Sequence, residues 1–166
     1  ISLLNDWEII SILNKNISIN NKFLRGLNWI KKLKGNYILY LLKNSENLEL
    51  NCQRFFINSK EKKILKDYLN ITNQLDNEKE KFLYLTPSQW TEFIETKNLD
   101  EETVKLLICN EGLFWKSFFK WLFVYKFIKS KKSGEFLKSE GWQPGKEMGD
   151  EIKRLRYIEI DKTKKK

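Results

Sequence analysis

Apolar positions along this chain recur every three or four residues, the spacing that lines one face of an α-helix. Over residues 2–13 that face is Leu3, Leu4, Trp7, Ile10 and Leu13; over residues 17–34 it is Phe23, Leu24, Leu27, Ile30 and Leu33. Gly35 is placed to end the second helix in the left-handed conformation. Gly26 marks either a weak point or a close helix contact. Residues 36–43 form a short apolar run that periodicity alone leaves open between strand and helix; its helical neighbours favour helix. Residues 46–57 carry Leu48, Cys52, Phe55 and Phe56, and Ser59 is placed to cap a run bearing Ile64, Leu65, Tyr68, Leu69 and Leu75.

Residues 76–81 are polar and mark a subdomain joint. After them Thr86, Pro87, Ser88 and Gln89 meet the requirements of a capping box with proline in the first helical position, and Trp90, Phe93 and Ile94 follow on one face. Asp100 opens a helix through Val104, Leu107 and Ile108 that Gly112 ends. Residues 113–128 are apolar nearly all round, which predicts a helix buried on most sides, with Phe114, Phe118, Trp121, Leu122 and Tyr125 central to the core. Lys116, Lys120 and Lys126 interrupt this run, and it is shorter than the roughly 20 apolar residues of a membrane span. Nowhere does a strict two-residue alternation survive, so the predicted fold is all-α: a bundle of short antiparallel helices. Two helical subdomains are expected, residues 1–78 and 79–161, followed by a disordered basic tail at 162–166.

Composition sharpens this in three ways. The chain has 166 residues with no His and two Cys, so a zinc site is excluded, and Cys52 and Cys109, far apart in apolar runs, read as buried thiols. It begins with Ile1 rather than Met, which reads more as a fragment than as a processed whole protein. No secretory signal is visible, and a cytoplasmic location is expected. The net charge is +9, and residues 113–166 hold 15 Lys and Arg against 7 Asp and Glu. A one-sided basic region of this kind is the footprint of a polyanion binder.

The basic region contains the chain's most punctuated stretch, residues 131–157, with four of the seven glycines and one of the two prolines. It predicts a short helix capped by Ser133 and stopped by Gly141, a tight turn, and a second helix with Pro144 at its first position and Met148, Ile152 and Leu155 facing inward. Gly149 reads as a close helix crossing or a phosphate approach; Trp142 and Tyr157 are aromatics able to stack on bases, with core burial favoured for Trp142. The order Gly134, Glu135, Phe136, Leu137, Gly141, Pro144, Gly145, Gly149, Ile152, Leu155, Arg156 resembles the C-terminal signature of the bacterial class II CCA-adding tRNA nucleotidyltransferase and poly(A) polymerase family. Residues 85–90, Leu-Thr-Pro-Ser-Gln-Trp, are similar to an upstream element of the same family, and the resemblance covers residues 60–161. It implies a helical body and a tRNA-binding tail whose catalytic head, with its magnesium, lies outside this chain.

Catalytic chemistry is not visible in the residues. Nucleotidyl transfer needs carboxylates spaced to hold two metal ions, and no two aspartates here are two apart. A Ser-His-Asp arrangement is impossible without His. No catalytic residue, cofactor or metal ligand is therefore assigned. Binding chemistry is more concrete. A helix opening at Gly145 and Lys146 points free N–H groups outward and favours an anion. Lys131, Lys132, Lys153, Arg154 and Arg156 complete the candidate RNA-binding set, expected on one exposed basic surface that tracks a nucleic-acid backbone without reading bases. The expected partner is tRNA or another structured RNA, together with the catalytic domain of the same polypeptide. Two alternatives stand beside it: a stand-alone helical DNA-binding module, and a helical protein-interaction scaffold.

Overall fold

The computed structural model of the chain describes residues 20–163, and the helix expected over residues 2–13 lies outside them. All regular structure in the described residues is helical: α1 Asn21–Lys32, α2 Tyr37–Leu42, α3 Leu48–Arg54, α4 Ser59–Asn77, α5 Lys79–Leu83, α6 Pro87–Thr96, α7 Glu101–Cys109, α8 Trp115–Phe123, a single 3-10 turn Tyr125–Phe127, α9 Gly134–Ser139 and α10 Lys146–Lys162. None of these helices is long and apolar enough to cross a membrane. The chain divides into two compact units, each discontinuous in sequence: residues 1–80 with 99–119, and residues 81–98 with 120–166.

In the first unit α7 packs against α1, α2 and α4. Six of its nine residues are buried, from Thr103 and Val104 through Leu106 to Cys109. This is the helix covered on nearly every side, a role the sequence pattern assigned to residues 113–128. The α1–α7 contact is close: a methyl group added to Gly26 would stand 2.6 Å from the Cys109 carbonyl oxygen. Lys43 is buried beside this core, its Nζ 3.3 Å from the Tyr68 hydroxyl and 3.1 Å from Asn110 Oδ1. It also lies over the rings of Tyr40 and Tyr68 at 4.9 and 5.2 Å. Cys52 and Cys109 are buried free thiols.

In the second unit α10 packs on α6 and α9, and α6 on the 3-10 turn. Its core is Phe82, Trp90, Ile94, Trp121, Leu122, Tyr125, Leu137 and Ile160. Phe82 meets Trp90 and Phe93 with ring centroids 5.4 and 5.0 Å apart.

Local signals performed well where the partner lies within a turn. Thr86 and Gln89 form the capping box with Pro87 in the first turn, and Asp100 and Ser133 cap α7 and α9. Several expectations need correction. Asn58, not Ser59, caps α4, because its side chain reaches the Glu61 amide while Glu61 reaches back. The left-handed residue after α1 is Lys34, not Gly35; Gly35 follows it, and its amide bonds back to the Ile30 carbonyl. Likewise α7 closes through Asn110 and a left-handed Glu111 before Gly112 is reached. The 113–128 run is not one buried helix. It breaks at Val124 (φ −129°, ψ −63°), and Leu113, Phe123, Val124 and Phe127 are exposed. Phe114 is only partly buried, whereas Phe118, Trp121, Leu122 and Tyr125 are core residues. At the C-terminus Lys162 still belongs to α10.

Candidate nucleic-acid interface

The predicted helix-turn-helix is present as α9, a turn over residues 140–145, and α10. Ser133 accepts the Phe136 amide at the start of α9. Gly141 ends that helix at φ +94°, with its own amide bonded to the Lys138 carbonyl and the Trp142 amide to the Leu137 carbonyl. A left-handed residue with this pair of bonds satisfies carbonyls the helix leaves open, and glycine adopts it without side-chain strain. Pro144 lies one residue before the capping position rather than inside α10, which begins at Lys146 with extended Gly145 as its cap. Trp142 is 37% exposed in the turn, not a core residue. Met148, Ile152 and Leu155 are half-buried, and Met148 and Ile152 lie against the start of α9. Among the described residues no helix crosses at Gly149, where an added methyl group would meet nothing within 4 Å.

The start of α10 is open in the same way. An added methyl group on Gly145 also meets nothing within 4 Å, and Lys146 beside it is exposed. The other proposed cations are held by carboxylates. Lys153 Nζ lies 3.0 Å from Glu92, and Arg154 reaches Glu151 at 2.7 Å. Lys131 lies 3.3 Å from Glu159, and Lys132 2.8 Å from Glu140. The side chains of Lys131, Lys132, Lys153 and Arg154 remain 42–73% exposed. Pairs this open to water are worth little, about 0–1 kcal/mol, so a phosphate can displace the carboxylate.

Arg156 departs from the expected exposed surface. Its side chain is 20% exposed, and four of its five guanidinium N–H groups are engaged inside the unit. Two nitrogens take the two Glu95 oxygens at 2.8 Å each. Nε donates to the Ile128 carbonyl at 2.8 Å and Nη2 to the Tyr125 carbonyl at 3.2 Å. Trp121 Nε1 completes the cluster on Glu95 at 3.4 Å. Partial burial pushes the Glu95 carboxyl up, but the Arg156 fork outweighs it and holds the group below its ordinary value. Arg156 therefore ties α10 to α6 and to the 3-10 turn. It is a strut of the unit rather than a ligand for RNA.

The acids that organise the site, Glu92 and Glu95 on α6 and Glu140 and Glu159 around α9 and α10, were missed from sequence. Glu92 and Glu95 lie 61 residues from Lys153 and Arg156, and Glu159 lies 28 from Lys131, so no local signal pairs them. No protein-family model, curated protein or solved structure matches this chain. The sequence does hold one further signal: between Glu111 and Glu135 there is no acidic residue, while six lysines fall in that interval. In the second unit this acid-free stretch supplies Lys120, Lys126 and Lys129 around the exposed Phe123 and Phe127.

Proposed function

We propose that the second unit holds a structured RNA, such as an arm of tRNA, by backbone and shape contacts. In this role it acts as the tail of a tRNA nucleotidyltransferase whose catalytic domain is separate. The open start of α10 carries the reading. The first-turn amides of a helix lack acceptors within it, and the helix dipole favours an anion there. At α10 no atom among the described residues lies within 4 Å of a methyl group added to the capping glycine, and Lys146 adds a charge at the same end. Lys153 and Arg154 further along α10, Lys132 at Glu140 and Lys131 at Glu159 near its far end supply exposed, exchangeable cations. Arg156 is withdrawn from the contact set because it is largely covered and four of its five N–H donors are already used. Support from sequence is the ordered resemblance over residues 134–156 and the charge excess of the last third.

The test is a salt titration of tRNA binding by the wild type, Lys146→Ala, Arg154→Ala and Gly145→Val. Affinity should fall as salt rises, because neutralised phosphates release counterions. Each lost phosphate contact should lower the slope by about one. Gly145→Val should weaken binding by crowding the anion while leaving the melting temperature unchanged, since the position is open and its backbone extended. Equal affinity for duplex DNA would favour the DNA-binding alternative. Unchanged affinity and slope in all three variants would sink the proposal.

A further inference from the structure

The face of the second unit carrying Phe123 and Phe127 has features that backbone binding does not explain. Along α8 and the 3-10 turn, Trp121, Leu122 and Tyr125 point into the core at 5–7% exposure. The other side of the same segment should then be polar, yet it exposes Phe123 at 50%, Val124 at 43% and Phe127 at 65%. The Val124 amide bonds to the Lys120 carbonyl and the Phe127 amide to the Val124 carbonyl, so Phe123 at the end of α8 and Phe127 at the end of the 3-10 turn bound a short exposed ridge across the break at Val124. The ridge is rigid. Arg156 grips the carbonyls of Tyr125 and Ile128 on either side of Phe127.

Its sequence is rich in lysine: Lys120, Lys126 and Lys129 lie beside Phe123 and Phe127 along the chain, in the interval between Glu111 and Glu135 that holds no acid. The Lys126 ammonium lies 4.9 Å from the centroid of the Phe127 ring. The pattern recurs at Phe136, itself 47% exposed, with the Lys132 ammonium 4.8 Å from its ring centroid. Exposed aromatic rings with cations at two of them, Phe127 and Phe136, are the elements of a single-strand nucleic-acid platform, where bases stack on rings and phosphates meet ammonium groups. A lipid surface fits less well. An interfacial helix buries a continuous apolar face with its charges on the opposite side, whereas here a charge stands at the ring itself.

We infer that the Phe123–Phe127 ridge is a stacking platform for unpaired nucleotides of an RNA strand. This rests on the reading that the second unit binds RNA and adds a second mode of contact. The start of α10 takes phosphates of a folded arm, and the ridge takes bases that are not paired. Base identity is not read, because every base offers a π-face.

The experiment uses the full chain and a short fluorescein-labelled RNA, offered single-stranded or annealed to its complement, and in parallel phosphatidylserine–phosphatidylcholine vesicles. The double variant Phe123→Leu with Phe127→Leu keeps the apolar surface and removes the rings. Phe127→Trp keeps an aromatic ring. Single-strand affinity should drop about five-fold or more in the double variant, the loss expected for removing a stacked base. Binding of the annealed RNA should not change, and Phe127→Trp should bind like wild type. Unchanged single-strand binding in a folded double variant overturns the inference. So does binding to vesicles without binding to the single strand. Annealed RNA that binds through Lys146 while the single strand does not leaves the function proposed above standing and removes only the platform. A single strand that binds through the rings while annealed RNA does not keeps the platform and removes the structured-RNA reading.

Discussion

Arg156→Ala separates a structural arginine from a phosphate ligand. The side chain is four-fifths covered and makes four hydrogen bonds, two to Glu95 and two to main-chain carbonyls. An exposed ion pair would cost about 0–1 kcal/mol to break, and a fully buried one about 3–5. Glu95 keeps 32% side-chain exposure, so water rehydrates it after the loss. The two carbonyls lose a charged donor in a less accessible place. The balance puts Arg156→Ala at about 2–3 kcal/mol and Arg156→Lys, which keeps the charge but loses the fork, at about 1–2. Arg154→Ala, which removes an exposed pair three residues apart, should leave the urea midpoint close to wild type. Urea denaturation followed by tryptophan emission measures these differences, and amide exchange at Phe127 and Ile128 locates them, since the 3-10 turn loses its anchor. Because Glu95 is held below its ordinary value, its contribution is present at neutral pH and is lost as pH falls through the folded-state value. The Arg156→Ala penalty should therefore shrink in acid. A wild-type urea midpoint and wild-type exchange at these amides would refute the strut.

Lys43 should make stability rise between pH 7 and 9. Burial lowers its folded value to about 8 from 10.5, so the charge penalty present below pH 8 is relieved between those values, by about 1 kcal/mol from pH 7 to 9. Burial also raises the Cys109 thiol to about 12 from 9.0 and the Tyr68 hydroxyl to about 12 from 10.0, so stability should fall again once their unfolded forms ionise. Lys43→Met should flatten the rise in urea midpoint, and a wild-type midpoint that falls steadily from pH 7 to 9 would contradict this account. Gly26→Ala should destabilise the first unit by about 1–3 kcal/mol, because the clash with the Cys109 carbonyl outweighs the gain in helix propensity; an unchanged midpoint would show that α1 and α7 separate freely.

Much of the secondary structure was legible because its causes are local. The caps at Thr86, Asp100 and Ser133 satisfy amides two or three residues onward. The Gly141 stop needs only its own backbone freedom. The inward face of α10 follows from turning about 100° per residue, which brings Met148, Ile152 and Leu155 together. The same geometry puts Arg156 roughly 40° from Ile152, at the edge of the buried face. Whether such an edge residue turns out to RNA or in to the protein is not decided by its own helix. A carboxylate 61 residues earlier in the chain, Glu95, decides it. The run over residues 113–128 shows the same division. Its apolar content requires burial somewhere, but which side is covered depends on where α6 and α10 lie, so Trp121 and Tyr125 go in while Phe123 and Phe127 stay out. Glycine identity is ambiguous for the same reason: Gly26 admits a neighbouring helix and Gly149 admits none. Periodicity and capping act over one or two turns, so sequence determines them. Direction at an edge, exposure of an apolar face and the use of a glycine depend on distant partners, and only the tertiary structure brings those partners together.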